Sequence, residues 1–499
     1  MQWWRDAVVY QVYVRSFTDS DGDGVGDLEG VRSRLGYLEL LGVDALWLTP
    51  FYTSPMADHG HDVADPRDVD PVFGDLAAFD ALVADAHEHG LKILVDLVPN
   101  HTSTEHPWFR AARESAPGSP ERERYHFRAG RGDGPPNDWR SVFGGPAWTR
   151  IPGDPQWYLH LFSPEQPDLN WTNPEVWADL EKTVRFWLDR GVDGFLVDTP
   201  HGMSKPEGLP DAGSGRADPR FDHEGVHEVH RMVRAVVDHF PGRVLAGQVC
   251  VRDDAAFARY VRPDELHVGL TYRLLECPFD ADAVRDAIED SFDAVAGTPS
   301  PPSWTLADHD TARPVTRYGG VAAARAMAMV TLALPGTVFL YNGEELGLPD
   351  VDLPDDALQD PRWLQSGRTD RGRDGCRVPL PWEGGAPGFG FTAGQPWLPI
   401  PPEWADRLVA DQLEDTTSTL SVYRRALELR RCHPGFTGRD LEWFGAPEGC
   451  LAFRRAGGTL VCALNTGDAP VPLPPGDLLL SSSPLAGGLL PPGTAVWLA

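Results

Sequence analysis

Cysteine, positive charge and long apolar runs are all scarce in this chain. Its 499 residues hold six cysteines: Cys250, Cys277, Cys376, Cys432, Cys450 and Cys462. That is too few for a disulfide scaffold, and no two are close enough for a metal-binding pair. Reduced thiols in a cytoplasmic protein are the expectation. Lys and Arg total 44 against 74 for Asp and Glu, a net charge of −30. Phosphates would be repelled rather than neutralised, which argues against a nucleic-acid partner or an anionic membrane surface. The longest apolar run, around Ala326–Pro335, is too short to cross a bilayer. The opening stretch MQWWRDAVVYQVYV has no basic segment followed by an apolar core and a small-residue cleavage site.

What is present is an ordinary soluble composition, 41% apolar and 24% charged, in a chain too long for one compact core. Seventeen tryptophans suit a carbohydrate partner, since flat aromatic faces stack on sugar rings. Trp139 and Trp148 are as well explained by packing. Nothing in the sequence sets an oligomeric state.

Short β-branched runs alternate with helical patterns along the first 430 residues. The strand candidates are Val8–Val14, Ala45–Leu48, Ile93–Asp96, Gly194–Val197, Val244–Ala246, His267–Leu270, Trp304–Leu306 and Val338–Tyr341. Helical patterns include Leu76–His89, Pro174–Arg190 and Val226–His239. Eight strand–helix alternations predict an α/β fold, a parallel (β/α)8 barrel with its chemistry at the C-terminal strand ends. The barrel takes residues 1–100 and 169–429. Residues 101–168, rich in Pro, Gly, Arg and Trp with no clear helix, form an excursion after the third strand. Residues 430–499, with runs such as CLAFRRA and GTLVCALN, read as a C-terminal β-sandwich domain.

Two sets of residues carry chemistry. In DSDGDGVGD, residues 19–27, Asp19, Asp21, Asp23 and Asp27 alternate with small residues on a Gly-rich loop. Their oxygens, with the Val25 carbonyl, are candidate ligands for one hard cation, a structural Ca2+ or Mg2+. No bidentate Glu follows at the twelfth position of the loop. The second set ends four strands: DLVPNH at 96–101, GVDGFLVDTPH at 191–201, LAGQV at 245–249 and ADHD at 307–310. Four polar clusters in this order converge on one barrel mouth.

With these signatures the chain resembles glycoside hydrolase family 13, the α-amylase family, over nearly all its length. It is most similar to the α-glucosidase and oligo-1,6-glucosidase branch. VVYQVYVRSFTDSDGDGVGDLEG, QPDLNW, LPGTVFLYNGEELGLP and GRDGCRVPLPW extend the likeness. The resemblance implies the same barrel, excursion and β-sandwich, and a small carbohydrate or modified sugar as substrate. It makes Asp198 the nucleophile and Asp310 the carboxylate that grips sugar hydroxyls. His101, His309 and Asp62 become first-subsite contacts, and Asp96 and Asn100 shape the floor. Arg313 and Thr199 are further candidates at the substrate, Thr199 toward the leaving-group side.

The departures from the family pattern bear on the chemistry. Leu196 stands where an Arg normally orients the nucleophile. Gln248 stands where a Glu is the general acid/base, and Cys250 follows where Trp is usual. His61 replaces an aromatic before Asp62, Asp308 replaces an Asn, and Asn342 replaces a Gln. An amide can neither protonate a leaving oxygen nor deprotonate water, a step worth about 10²–10⁴-fold, and loss of the Arg should raise the Asp198 pKa. The residues leave open an α-glucosidase-like enzyme with altered chemistry, a non-catalytic sugar-binding or regulatory protein, and a slow hydrolase in which a carboxyl such as Glu276 steps in. A Glu-to-Gln change is also a common engineered trap, but Leu196, Cys250 and His61 exceed what such a trap needs.

Overall fold

The computed structural model describes residues 2–213, 218–455 and 459–499. Eight parallel strands follow one another around a closed sheet: β1 (Val8–Val12), β2 (Ala45–Leu48), β3 (Lys92–Leu97), β4 (Gly194–Val197), β5 (Val244–Gln248), β6 (Val268–Leu270), β7 (Ser303–Thr305) and β8 (Thr337–Tyr341). β8 pairs with both β1 and β7. The remaining seam is stitched by a side chain. Ser303 Oγ donates to the Gly269 carbonyl at 2.7 Å and accepts from the Thr271 amide at 3.3 Å. All eight strands are buried except for the first residue of β3, which is partly so. That is why they read in sequence as unbroken apolar runs.

Helices cover the outside, and their ends follow local rules. Leu76–Glu88 is capped by Asp75, which accepts from the Ala78 amide at 2.8 Å. Pro174–Asp189 begins with Pro174 after the capping Asn173, where proline's missing N–H costs nothing. Helix Val321–Ala333, which contains most of the longest apolar run, has one buried face after another. No helix among the described residues is long and apolar enough to cross a membrane.

Between β3 and β4 the chain builds a three-stranded antiparallel sheet, with Gln156–Leu159 between Phe127–Ala129 and Trp148–Arg150. It also forms a helix, Pro107–Glu114, where the sequence suggested none. His106 Nδ1 caps this helix at the Trp108 amide and Pro107 starts it. Trp139 and Trp148 pack together in this segment's own core, 1% and 2% exposed. They are structural rather than sugar platforms.

After helix Thr419–Cys432, the chain ends in a five-stranded antiparallel sheet and a two-stranded one. CLAFRRA and GTLVCALN supply two adjacent strands, Cys450–Arg455 and Val461–Asn465. The facing ends of these runs, at 456–458, lie outside the described residues.

Two glutamates following β8 tie the barrel mouth to the helical layer. Glu345 accepts from Tyr10 and Tyr37 at 2.8 and 2.7 Å, and Glu344 accepts from Tyr423 at 2.9 Å. Burial pushes the Glu344 carboxyl up to about 7. A folded-state pKa above the unfolded one gives stability that is present at low pH and lost as pH rises through about 7. Glu344→Gln should therefore flatten the stability profile between about pH 4.5 and 7. Wild type should lose up to about 3 kcal/mol more than the variant over that window. Denaturant melts at several pH values measure this, and parallel profiles would show that Glu344 is not a buried acid.

Candidate active site

The barrel's register sets the site. Along a strand, alternate residues face the axis. β4 and β5 pair with Leu196 beside Ala246 and Val197 beside Gly247. Leu196 and Ala246 both belong to the apolar cluster at the barrel centre. Asp198 and Gln248 lie two residues further along each strand, so they leave neighbouring strand ends side by side on the same inward face. Both line an open cavity of about 430 Å³ together with Thr199, His201, Phe162, Phe221, Cys250, Tyr272, Glu276, Asp308 and Asp310.

Burial raises the Asp198 carboxyl above its usual range, opposed by His61 and His101 and helped by Asp310. The Asp198 amide is held by the Leu97 carbonyl at 2.9 Å, and Thr199 Oγ1 donates to Asp198 Oδ1 at 3.2 Å. Leu196 itself is fully buried among Trp4, Trp47, Leu94, Val268 and Phe339. It does not reach the cavity. Its register neighbour on β3 is Asp96, whose carboxylate accepts from Trp47 Nε1 at 2.8 Å. Burial, then the Asp198 charge, pushes Asp96 well above the normal carboxylate range. With Leu at 196, neither acid gains a cation from that position.

Beside the open cavity lies a packed polar layer. His61 and His309 stack with ring centroids 5.1 Å apart at 10°, and their Nε2 atoms are 3.3 Å apart. Gln11 Nε2 lies 2.8 Å from His309 Nδ1, and Tyr13 stacks on the other side of His309 at 5.7 Å. His101 Nε2 lies 3.1 Å from both the His61 carbonyl and Gln166 Nε2. Asp62 spends its two oxygens on the Ala57 and Asp58 amides, each at 2.9 Å, and burial lifts it to about 6. His61, Asp62, His101 and His309 are all under 10% exposed. The structure thus gathers the expected sugar-gripping residues, but buried beside the cavity rather than open to it.

Asp310 is the exception. Its side chain is 39% exposed and faces the cavity. Arg373 holds it at 3.0 Å and Arg377 at 2.7 Å. Burial alone would raise this carboxyl, but His309, Arg373 and Arg377 hold it well below the usual range. Arg373 also pairs with Asp58 and Asp360, each at 2.7 Å. Both arginines lie in GRDGCRVPLPW, where two basic residues in an apolar-flanked stretch of so acidic a chain are the signal that the sequence offers. Next to Asp310, Asp308 is raised by burial, then by Asp310, to about 6.

Arg313 does not reach the cavity. It is fully buried, its guanidinium donating to the Asn342 and Cys376 carbonyls at 2.9 and 2.7 Å over the Tyr341 ring. It supports the loop after β8 and touches no substrate space. In the 19–27 loop, carboxylate oxygens of Asp19, Asp21 and Asp27 lie within 4.8 Å of one another. Asp23 falls outside that cluster; its Oδ1 accepts from the Val25 amide at 2.7 Å.

Comparison with known proteins bears on this arrangement. Residues 11–438 match the family model of the alpha amylase catalytic domain, and residues 439–497 match a domain of unknown function, DUF3459. A probable alpha-glucosidase of Rhizobium meliloti is 38% identical, covering 93% of this chain and 90% of that protein. An oligo-1,6-glucosidase of Parageobacillus thermoglucosidasius is 34% identical over 86% and 84%. The solved alpha-glucosyl transfer enzyme XgtA superposes with a TM-score of 0.90 at 37% identity, covering both chains fully. A glutamate-to-glutamine variant of MutB in complex with its substrate sucrose superposes at 0.92 with 32% identity, covering 100% and 99%. With its eight-stranded barrel, its polar strand ends and these matches, the chain belongs to the α-amylase family, glycoside hydrolase family 13, among its α-glucosidases and glucosyl-transferring enzymes.

Proposed function

We propose that this protein transfers α-glucosyl groups from activated donors through a covalent ester on Asp198, and that it hydrolyses ordinary α-glucosides poorly. The observation that carries this reading is the pair of neighbouring strand ends, one bearing Asp198 and the other Gln248, on one cavity. A retaining mechanism needs a nucleophile and an acid/base on the two sides of the bond. Here the first is a carboxylate and the second an amide. Asp198 can attack C1 of a donor whose leaving group departs without a proton. The ester then waits for an acceptor that attacks without losing one.

A non-catalytic sugar-binding protein is the competing reading, favoured by Leu196 in place of a cation beside Asp198. Fluoride release from α-glucosyl fluoride separates the two. Wild type should release fluoride and show one glucosyl mass on Asp198 by intact mass, and Asp198→Asn should do neither. Wild type without turnover or adduct would sink the enzyme reading. Gln248→Glu should raise kcat/KM on α-glucosides with alcohol leaving groups by about 10²–10⁴-fold.

The acid side of the pH profile tests the second departure. Asp198 must be ionised to attack, so a raised pKa puts the rising acid limb at higher pH. Leu196→Arg would place a guanidinium between Asp96 and Asp198, which favours both charges and lowers both pKa values. The acid limb for fluoride release should move to lower pH in that variant. An unmoved limb would show that Asp198 does not set it.

We further propose that the 19–27 loop binds Ca2+, or Mg2+ in its place, through Asp19, Asp21 and Asp27. The three carboxylates form a compact set of hard oxygen donors, and Asp27 is a buried acid whose pKa burial raises and whose charge a cation would compensate. Chelator should lower the melting temperature and Ca2+ restore it, since a ligand of the folded state stabilises by mass action. Asp21→Asn should reduce that increment; a melting temperature indifferent to Ca2+ would rule the site out. With all six cysteines free, a reducing compartment, the cytoplasm, is the proposed location.

A further inference from the structure

The charges around the cavity do not cancel evenly. Four carboxylates and three guanidiniums line it: Asp198, Asp308, Asp310, Glu276, Arg252, Arg273 and Arg362. Asp310 is neutralised from outside by Arg373 and Arg377. Arg273 is committed to Asp254 and to the Asp290 carbonyl. Arg252 meets Glu276 at 3.1 Å, with both side chains more than half exposed, and such surface pairs are worth little. Arg362 is different. It lies on the short helix Pro361–Gln365, its guanidinium carbon 5.5 Å from the Phe143 ring centroid. Its Nε is buried without a hydrogen-bond partner, and among the described residues it makes no ion pair. In a chain with a net charge of −30, an uncommitted cation facing this cavity has a binding role available to it.

The chemistry across the cavity points the same way. Beside Gln248 a leaving group must depart with its electron pair and no proton. An incoming group must attack with no base to help it. A sugar hydroxyl or water, whose pKa is about 15.7, meets neither condition. Phosphate and carboxylate oxygens meet both, because they are already anions near neutral pH. They are also the groups that a planar guanidinium grips with two parallel hydrogen bonds.

We propose that the group exchanged with the sugar at this site is an oxyanion, a phosphate or a carboxylate, held by Arg362 with Arg252 as second contact. The proposal rests on the Asp198 ester of the preceding subsection and adds what leaves it and what attacks it. In the forward step an Asp198 oxygen bonds to C1 of an α-glucosyl phosphate or acyl ester, and the C1–O bond pair leaves on the oxyanion. In the return step an oxyanion oxygen bonds to C1, and the C1–O bond pair goes back to Asp198. No proton moves in either direction, so Gln248 is no handicap. A Glu at 248 would repel the incoming anion.

The test supplies α-glucosyl fluoride to the full-length protein with inorganic phosphate, acetate or azide, and identifies products by NMR. The expected products are α-glucose 1-phosphate or 1-O-acetyl-glucose, and the one that forms at the lower anion concentration identifies the source. Arg362→Gln should raise the KM for that oxyanion by about tenfold or more, the size of one lost charge-assisted hydrogen bond. The KM for azide, a small anion with no oxygen fork, should rise less than the KM for the oxyanion. Fluoride release with glucose as the sole product in phosphate and in acetate overturns the oxyanion while leaving the Asp198 ester standing. So does oxyanion transfer whose KM Arg362→Gln leaves unchanged. Absence of both fluoride release and adduct brings down the ester reading and this inference together.

Discussion

One guanidinium holds three loops of the barrel mouth together. Arg373 reaches Asp58 after β2, Asp310 after β7 and Asp360 after β8, and it is itself 6% exposed. Asp58 and Asp360 are buried and Asp310 is partly exposed, and three carboxylates so close together repel each other. One cation in their midst offsets that repulsion and fixes their relative positions, with Arg377 as a second contact to Asp310. Removing one partner from such a cluster leaves uncompensated buried charge, commonly a loss of about 3–5 kcal/mol. The buried polar layer beside the cavity is built on this anchor. Asp58 offers its amide to Asp62, and its carboxylate accepts from Gln166, which also meets His101. Arg377 donates to the His309 carbonyl at 2.8 Å. The residues expected to contact a sugar therefore share one ion-paired support.

The nucleophile's side of the site is built on a different balance. A cation at position 196 would sit against Asp96 and below Asp198. Leu196 instead completes the apolar barrel centre with Trp47 and Leu94. Without that cation, burial and the Asp198 charge push Asp96 well above the usual carboxylate range, and burial raises Asp198 too. A second carboxyl at 248 would have added another negative charge next to Asp198. Leu196 and Gln248 remove one positive and one potential negative group from the same few ångströms, so the two substitutions offset each other electrostatically.

Much of this was legible from the sequence, for identifiable reasons. All eight barrel strands fall within about three residues of their expected ends, because buried parallel strands leave uninterrupted β-branched runs. Helix Pro107–Glu114 was missed: its eight residues are too few for periodicity to stand out, and its cap is a histidine. Arg313 looked like a substrate contact because it follows ADHD in sequence, yet its partners, Asn342 and Cys376, are 29 and 63 positions away. Arg373 could not be assigned for the same reason, since Asp58 is 315 positions off. Local sequence tells which residues end a strand. It does not tell which distant carbonyl or carboxylate will occupy a guanidinium.

The residue after the nucleophile weighs on whether Asp198 is still in use. Thr199 has φ of +46°, a left-handed conformation that costs a β-branched residue about 1–3 kcal/mol. The turn that holds it is closed by the Gly202 amide on the Thr199 carbonyl at 2.9 Å. A Cβ at 202 would come within 2.6 Å of Thr199 Cγ2, so the glycine is needed for the turn to close. This strained turn puts Thr199 Oγ1 on the Asp198 carboxylate and carries both side chains into the cavity. A helix cap or a packing contact would not need it, because Asp in ordinary extended geometry serves a cap equally well. The strain at Thr199 thus aims the Asp198 carboxylate into the cavity, the orientation that the proposed covalent role requires.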